Sequence, residues 1–361
     1  MTLPATLADL GWSDDREAAF APLAAAGLVP GRVVLEHNHV FRVMTAEGEV
    51  LAETAGAVKH KADGRQALPV VGDWVALRID GTGARCQIRE VLPRTTRFSR
   101  KAAGRDTVEQ IVAANIDIVF IVFGLDTHVK ARALERYLVV ARHSGARPVV
   151  VLNKADLAAD TAAAVAEARA AIGDTPVLVT STQTGVGLGD VSALLARGRT
   201  VALIGPSGVG KSSIVNQLVG RAELATGEVR DWDQRGRHTS VHRQLVVREE
   251  GGLVIDTPGM RELQLWAGDA VADTFGDVAG LADQCRFRDC RHDREPGCAV
   301  KSAVDAGALD AARYESYLKL QAEQEDVLKK REQRALTESK RTAKVTSRAL
   351  RELYKERDRQ R

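Results

Sequence analysis

The chain has 361 residues, 45% of them hydrophobic, and a formal net charge of +3. This length exceeds what one ordinary hydrophobic core organises, so we expect two or three globular domains. The first fifteen residues lack a basic stretch, and the longest apolar run, 116–125, is interrupted by Asp117. Such a short run excludes a membrane-spanning helix, and we expect a cytoplasmic protein without a membrane partner.

The sequence pattern changes along the chain and divides it into four segments. Short β-rich runs extend from about Gly31 to Phe98, alternating apolar strands and helical stretches begin at Ile116, and strand patterns end near Gly268. This alternation predicts a parallel sheet covered by helices on both faces. The predicted segments are an N-terminal extension, 1–30; an OB-fold barrel, 31–100; an α/β nucleotide-binding domain, 101–268; and a metal-binding, mostly helical domain with a basic tail, 269–361.

The barrel prediction depends on five short β-rich runs separated by turns that contain Gly, Asp or Asn. Five such strands in about seventy residues are typical of an OB-fold, which commonly binds oligonucleotides. Arg32 and Arg94 are among the cations that we expect to contact RNA. The rings of Phe41, Trp74 and Phe98 could stack on bases, although core packing is the commoner role of such rings.

The positive charge is concentrated at the C-terminal end. Residues 329–361 contain 13 Lys or Arg and 5 Asp or Glu, so this tail carries +8 and the rest of the chain carries −5. A basic segment beside an acidic body is typical of proteins that dock on nucleic acid. The alternative is a solvated helix without a partner.

A glycine-rich motif follows the apolar strand VALI and precedes a helix-like segment. Its residues are Gly205, Pro206, Ser207, Gly208, Val209, Gly210, Lys211 and Ser212, followed by Ser213. The pattern GxxxxGK[ST] between a strand and a helix predicts a phosphate-binding loop. Its backbone N–H groups wrap the phosphates, Lys211 offsets β- and γ-phosphate charge, and the Ser212 hydroxyl binds Mg²⁺.

Two further motifs complete a nucleotide site. Asp256 and Gly259 in the segment DTPG lie about 45 residues beyond Lys211, where an aspartate can support Mg²⁺ and a glycine N–H can contact the γ-phosphate. Asn153, Lys154 and Asp156 form NKAD after another apolar strand. The Asp156 carboxylate can accept hydrogen bonds from N1–H and the exocyclic N2–H of guanine, and adenine lacks that donor pair.

The Lys154 stem can cover the guanine ring, and the turn at Thr180 and Ser181 can complete the pocket through backbone N–H groups. A simpler alternative is that NKAD caps the N-terminus of a helix.

Cys285, Cys290, His292 and Cys298 form C-x4-C-x-H-x5-C within one short segment. Three thiolates and an imidazole at this spacing predict one tetrahedral, structural Zn²⁺ per chain, because four filled positions leave no room for a reacting water. Nearby arginines could contact RNA phosphates or only increase solubility; they are Arg286, Arg288, Arg291 and Arg294.

The motifs occur in the order NKAD, VTST, GPSGVGKS, GRHTS and DTPG, so base recognition precedes phosphate binding along the chain. A sheet tolerates this permutation because its site is assembled from strand ends. The arrangement resembles the ribosome small-subunit-dependent GTPase A family, RsgA, over nearly the whole chain. The resemblance implies an OB-fold, a circularly permuted P-loop GTPase domain and a zinc-binding helical domain.

The resemblance also implies functional roles. It implies GTP hydrolysis to GDP with Mg²⁺ and action on the small ribosomal subunit and its rRNA during late maturation. Lys211 and Thr239 would act on the phosphates, Thr239 would also bind Mg²⁺, and His238 would orient the attacking water. Met260 occupies the place where many related switches have a glutamine, and an apolar side chain cannot align water. We therefore expect slow hydrolysis that a docked partner accelerates.

Two other hypotheses remain open. The chain could be an RNA-binding protein whose guanine nucleotide site is regulatory and does not turn over, or it could be a small-molecule kinase. The full set of phosphate and Mg²⁺ residues argues against the first, and NKAD argues against the second. A nucleotide switch of this kind needs only a monomer, which is the state we expect.

Overall fold

The computed structural model describes residues 6–37, 39–56, 58, 65–80, 86–101, 109–220, 244–256, 270–293 and 295–359. The first helix, α1 (Asp14–Ala25), begins after Ser13, whose hydroxyl accepts a hydrogen bond from the N–H of Arg16. Its aromatic residue Phe20 is buried. Trp12, just before the helix, packs edge-on against both Phe20 and Trp74. These contacts fix the N-terminal segment to the barrel.

Five strands form a closed barrel. They are β1 (Val29–His37), β2 (Val40–Thr45), β3 (Gly48–Thr54), β4 (Trp74–Ile79) and β5 (Cys86–Val91). Their order is β1-β2-β3-β5-β4, and β4 returns to β1. Only β3 and β5 pair in parallel. Closure leaves no free edge and confirms the predicted OB-type barrel.

The three aromatic residues that were candidates for base stacking are buried. Phe41, Trp74 and Phe98 are between 1% and 3% exposed, so their rings cannot stack on RNA. Phe41 packs in the barrel core, whereas Trp74 and Phe98 belong to the larger core that continues into the α/β domain. Two cations expected to contact RNA are also turned inward. Arg94 is paired with the buried carboxylate of Asp73 at 2.7 Å, and Arg32 is 2% exposed. The expectation that Arg32 and Arg94 contact RNA is therefore wrong.

Arg32 joins three segments of the chain. Its guanidinium donates hydrogen bonds to the carbonyls of Leu10, Gly72 and Asn115, which belong to the N-terminal segment, the barrel and the start of the α/β domain. It also lies over the ring of Trp74, 5.3 Å from the ring centroid. Burial lowers the pKa of Arg32 to about 10, so the side chain stays charged at neutral pH.

A β-hairpin leads into the α/β domain. It consists of β6 (Arg97–Lys101) and β7 (Glu109–Ala114). The domain's sheet contains β8 (Ile118–Gly124), β9 (Arg147–Asn153), β10 (Val177–Val179), β11 (Thr200–Ile204), β12 (Gln244–Val247) and β13 (Leu253–Asp256). Their order is β10-β9-β8-β11-β13-β12. Only β12 runs antiparallel to its neighbours, and it also contacts β1 of the barrel.

Helices cover both faces of this sheet. They are α2 (Ala131–His143), α3 (Thr161–Ile172), α4 (Leu188–Leu194) and α5 (Lys211–Val219). One core lies under α2 and α3, and a second lies under α4 and α5. The central strand β11 lies between β8, which is earlier in the chain, and β13, which is later. This order confirms the predicted permuted α/β domain.

The C-terminal region is helical. It contains α6 (Ala270–Thr274), α7 (Gly276–Ala282), α8 (Ala299–Asp305) and the long α9 (Ala311–Arg359). The first part of α9 docks on α2 through ion pairs from Arg136 to Glu323 at 2.5 Å and from Arg132 to Glu315 at 2.5 Å. Val327 is the last α9 residue buried among the described side chains. No helix within the described ranges has an apolar stretch long enough to cross a bilayer.

Candidate nucleotide-binding site and metal centre

The glycine-rich loop connects β11 to α5 in a conformation that requires glycine. Gly205 has φ +142°, and a Cβ atom there would lie 2.1 Å from the carbonyl oxygen of Val122. Gly210 has φ +93°, and its Cβ atom would lie 2.3 Å from Nδ2 of Asn153. Contacts under 3 Å cannot be accommodated against backbone or a buried amide. The two glycines therefore let the loop approach β8 and the NKAD motif closely.

The loop presents donors at the start of α5. Gly210 precedes the helix without any side-chain cap, so the first N–H groups of α5 keep the anion-binding character of a helix N-terminus. The Lys211 ammonium donates to the carbonyls of Gly205, at 2.9 Å, and Pro206. Ser212 is exposed and Ser213 is half-buried. The Lys211 ammonium and the first backbone N–H groups of α5 thus lie together at the C-terminal end of β11.

Asn153 connects the NKAD motif to the glycine-rich loop. Its side chain is completely buried. Its Nδ2 donates to the carbonyl of Val209 at 2.9 Å, and its Oδ1 accepts from the Thr180 hydroxyl at 3.1 Å. One amide therefore links three motifs that are distant in the sequence.

Asp156 lies in a 3₁₀ turn, Ala155–Leu157, and not at the start of an α-helix. Its Oδ1 accepts a hydrogen bond from the Ser181 hydroxyl. The nearby helix α3 is capped instead by Asp160, which accepts from the N–H of Ala163 at 2.9 Å. The helix-cap alternative for NKAD is therefore wrong, and Asp160 fills that role.

Lys154 has a left-handed backbone, with φ +62°. Its ammonium contacts Oδ2 of Asp126 at 2.6 Å. A Cβ atom on Gly124 would lie 3.4 Å from Cδ of Lys154, so the lysine stem crosses the end of β8. Sequence reasoning missed Asp126, because no motif marks it; its only signal is its position just after β8.

Asp256 is the last residue of β13. Because Ala202 pairs with Ile255 in parallel register, the ends of β11 and β13 lie side by side. This register brings Asp256 to the same edge of the sheet as the glycine-rich loop. The other predicted phosphate and switch residues, His238, Thr239, Gly259 and Met260, lie outside the described residues.

The four predicted metal ligands converge. The ligand atoms of Cys285, Cys290, His292 and Cys298 all lie within 4.8 Å of one another. Nδ1 of His292 is 3.6 Å from Sγ of Cys285 and 3.5 Å from Sγ of Cys298. A tetrahedral zinc site with ordinary bond lengths has S–N edges of about 3.5 Å and S–S edges of about 3.8 Å. The residues present therefore fit a metal ion.

The surroundings of His292 favour metal binding by its imidazole. It is 4% exposed, and burial lowers the pKa of its imidazole, which favours the neutral form that metals bind. Its carbonyl accepts a hydrogen bond from the Tyr314 hydroxyl at the start of α9. Sγ of Cys298 accepts from the N–H of Lys301 at 3.4 Å. Both contacts connect the ligand cluster to the helices that follow it.

Comparisons with known proteins agree with this geometry. The family model described as RsgA GTPase matches residues 91–266. A small ribosomal subunit biogenesis GTPase RsgA from Opitutus terrae is 49% identical over 329 residues, covering 88% of this chain and 90% of that protein. The chain belongs to the RsgA GTPase family. A Streptomyces coelicolor RsgA is 42% identical over 338 residues, covering 92% of this chain and 90% of that protein.

Two solved structures are similar in fold to this chain. YjeQ from Thermotoga maritima is 29% identical with a TM-score of 0.61, over 81% of this chain and 97% of that chain. YloQ, described as a circularly permuted GTPase, is 25% identical with a TM-score of 0.59, over 83% of this chain and 96% of that chain. The RsgA family assignment makes this chain an enzyme that hydrolyses GTP.

Proposed function

We propose that the chain hydrolyses GTP at the sheet edge formed by β8, β9, β11 and β13, and that this reaction switches its binding to the small ribosomal subunit during late maturation. The names of its relatives support the ribosomal part. One observation carries the nucleotide part: the buried Asn153 amide joins the base motif to the phosphate loop. A nucleotide can therefore reach both motifs at once.

The base is recognised at the end of β9. The Asp156 carboxylate, oriented by Ser181, accepts the N1–H and N2–H groups of guanine. The Lys154 stem covers the ring, and its ion pair with Asp126 holds the stem in place. The backbone N–H groups of Thr180 and Ser181 instead donate to the carbonyls of Leu152, at 2.8 Å, and Val186, at 3.0 Å, so the expectation that these N–H groups complete the base pocket is wrong. Asn153 acts as a positioning residue, because its side-chain atoms are engaged within the protein.

The phosphates are bound by the loop and the first turn of α5. The loop residues are Gly205, Pro206, Ser207, Gly208, Val209 and Gly210, and Ser213 follows in the first turn of α5. Lys211 neutralises charge on the β- and γ-phosphates. Ser212 and Thr239, supported by Asp256, would hold Mg²⁺, which neutralises further phosphate charge when bound. The Gly259 N–H contacts the γ-phosphate.

In hydrolysis, water attacks the γ-phosphorus, the bond to the β–γ bridging oxygen breaks, and GDP leaves. His238 is our candidate to orient the water, and Thr239 is our candidate to contact the γ-phosphate. Because Met260 cannot align water, turnover by the isolated protein is slow. Docking on the subunit accelerates it.

The remaining parts provide the RNA-binding surfaces and the scaffold. We propose that the barrel and the basic tail contact rRNA. The proposed domains are the N-terminal extension, 1–30; the barrel, 31–100; the GTPase domain, 101–268; and the zinc-binding domain with its tail, 269–361. One Zn²⁺ per chain is held by Cys285, Cys290, His292 and Cys298 and stabilises the C-terminal domain. We propose that the protein acts as a monomer in the cytoplasm.

The test is GTP hydrolysis by the full-length protein with and without purified small subunits. Subunits are expected to stimulate turnover strongly. In Asp156→Asn, GTP affinity is expected to fall at least tenfold and xanthosine triphosphate to bind better, because an amide complements xanthine. Asp160→Asn is the matched control, since it changes an equivalent group that caps α3 outside the site.

Equally slow turnover under all conditions would contradict the proposal. That result would instead support an RNA-binding protein with a regulatory guanine nucleotide site.

A further inference from the structure

One phenylalanine differs from all others in the chain. Six of the seven phenylalanines are at most 6% exposed, whereas Phe287 is 41% exposed. Phe287 lies in the loop of residues 286–289, between the metal ligands Cys285 and Cys290. The buried rings of the barrel cannot stack on RNA. Phe287 is therefore the phenylalanine whose ring is available to a partner.

An arginine lies over this ring, and others follow it in the sequence. The Arg286 guanidinium lies over it, 5.5 Å from the ring centroid. Arg288 follows it in the loop and Arg291 lies just beyond Cys290; both are exposed, as is Asp289, the one acid of residues 286–291. The nearby acid Glu295 is engaged internally, since its carboxylate accepts from the backbone N–H groups of Arg291 and Asp293, each at 3.0 Å. Residues 286–291 thus carry one exposed ring, three arginines and one acid, so this part of the chain has a net positive charge.

The loop is also fixed in shape. Its two ends are metal ligands of one cluster. The N–H of Cys290 donates to the carbonyl of Phe287 at 3.3 Å, and the N–H of Arg286 donates to the carbonyl of Gly297 at 3.1 Å. A ring held in this way loses little conformational entropy when a partner stacks on it.

We infer that Phe287 and Arg286 form a stacking platform for one unpaired RNA base, with Arg288 and Arg291 contacting the phosphates beside that base. The inference rests on the proposed function, which supplies the RNA. An unpaired base exposes the flat face that aromatic rings and guanidinium planes bind, whereas a base within a helix does not. A protein partner would need apolar surface around Phe287, and the flanking residues are charged.

The experiment measures the affinity of the full-length protein for purified small subunits with a non-hydrolysable GTP analogue, at several salt concentrations. Phe287→Ala and Phe287→Leu are expected to weaken binding about tenfold, because stacking on one base contributes about 1.4 kcal/mol or more. Phe287→Trp is expected to bind within about twofold of wild type. These changes leave the salt dependence unaltered, whereas Arg288→Ala is expected to lower the slope of log K against log salt by about 1.

Zinc content and basal GTP hydrolysis serve as the folding controls. If Phe287→Ala loses zinc, Phe287→Trp decides the question, because base stacking quenches the fluorescence of the added indole when subunits bind. Absence of that quench overturns the inference. So does Phe287→Leu binding as tightly as wild type, which indicates an apolar pocket on a ribosomal protein.

Failure of the wild-type protein to bind subunits would overturn the proposed function and this inference with it. If the wild type binds and its hydrolysis is stimulated while all Phe287 variants match it, only this inference fails.

Discussion

Replacing Arg32 with methionine tests how the barrel is attached to the GTPase domain. Methionine keeps most of the apolar stem but removes the hydrogen bonds to the carbonyls of Leu10, Gly72 and Asn115. The Gly72 carbonyl keeps a second donor, Nδ2 of Asn115 at 3.0 Å. The substitution therefore removes the guanidinium donor from two buried carbonyls.

Each buried carbonyl without a donor costs about 1–3 kcal/mol, so we expect a total loss of about 4 kcal/mol. That loss is a large fraction of the roughly 5–15 kcal/mol that stabilises an ordinary domain. At about 2–4 °C per kcal/mol, the melting temperature should fall by about 10 °C. GTP binding by the folded protein should be retained, because Arg32 lies outside the nucleotide site.

The assay is thermal unfolding followed by tryptophan fluorescence, since the Arg32 guanidinium lies over the ring of Trp74 and Trp12 packs against that ring. Limited proteolysis of the junction provides a second measure, because unfolding of several domains need not be two-state. Arg42→Met is the matched control in the same barrel. Its partner Glu49 is at 2.5 Å, but the Arg42 side chain is 40% exposed, and such pairs contribute less than about 1 kcal/mol. Equal shifts for the two variants would refute the reasoning.

Three other outcomes are expected. Asn153→Ala should weaken GDP and GTP binding about thirtyfold in a titration with a fluorescent nucleotide, because two buried hydrogen bonds of about 1 kcal/mol each are lost; unchanged affinity would contradict its positioning role. Chelation of the metal, or Cys285→Ser, should remove hydrogen-exchange protection from α7 and α8 but not from β8 and β11. Unchanged protection of α7 and α8 after either treatment would exclude a structural ion. Hydrogen bonds from Arg197 and Thr6 hold the pKa of Asp9 well below its ordinary value of 3.8, so their stabilisation is present above that value and is lost as the pH falls through the folded-state pKa. Asp9→Asn should therefore lower the free energy of unfolding at pH 7 by less than about 1 kcal/mol, which is seen as a slightly lower melting temperature. The difference in melting temperature between the variant and the wild type should shrink toward acidic pH, and a difference independent of pH would contradict this.

Local chemistry made several features predictable from the sequence. The glycine-rich motif specifies a strand, a turn and a helix because only glycine adopts the backbone angles at Gly205 and Gly210. The spacing of the three cysteines and the histidine predicts a metal-ligand cluster, because all four residues lie within fourteen positions of the chain. Strand and helix types followed from residue patterns that each segment carries by itself.

Tertiary structure alone decided which polar groups face inward and what they contact. The carbonyls that surround Arg32 come from three separate segments, so no local pattern distinguishes this arginine from a surface cation. The links from Asn153 to Val209 and from Lys154 to Asp126 likewise join residues that are 56 and 28 positions apart. The sequence by itself determined the elements and the linear motifs, because their causes lie within a few residues. The contacts between motifs were decided only when the sheet and its cores brought distant segments together.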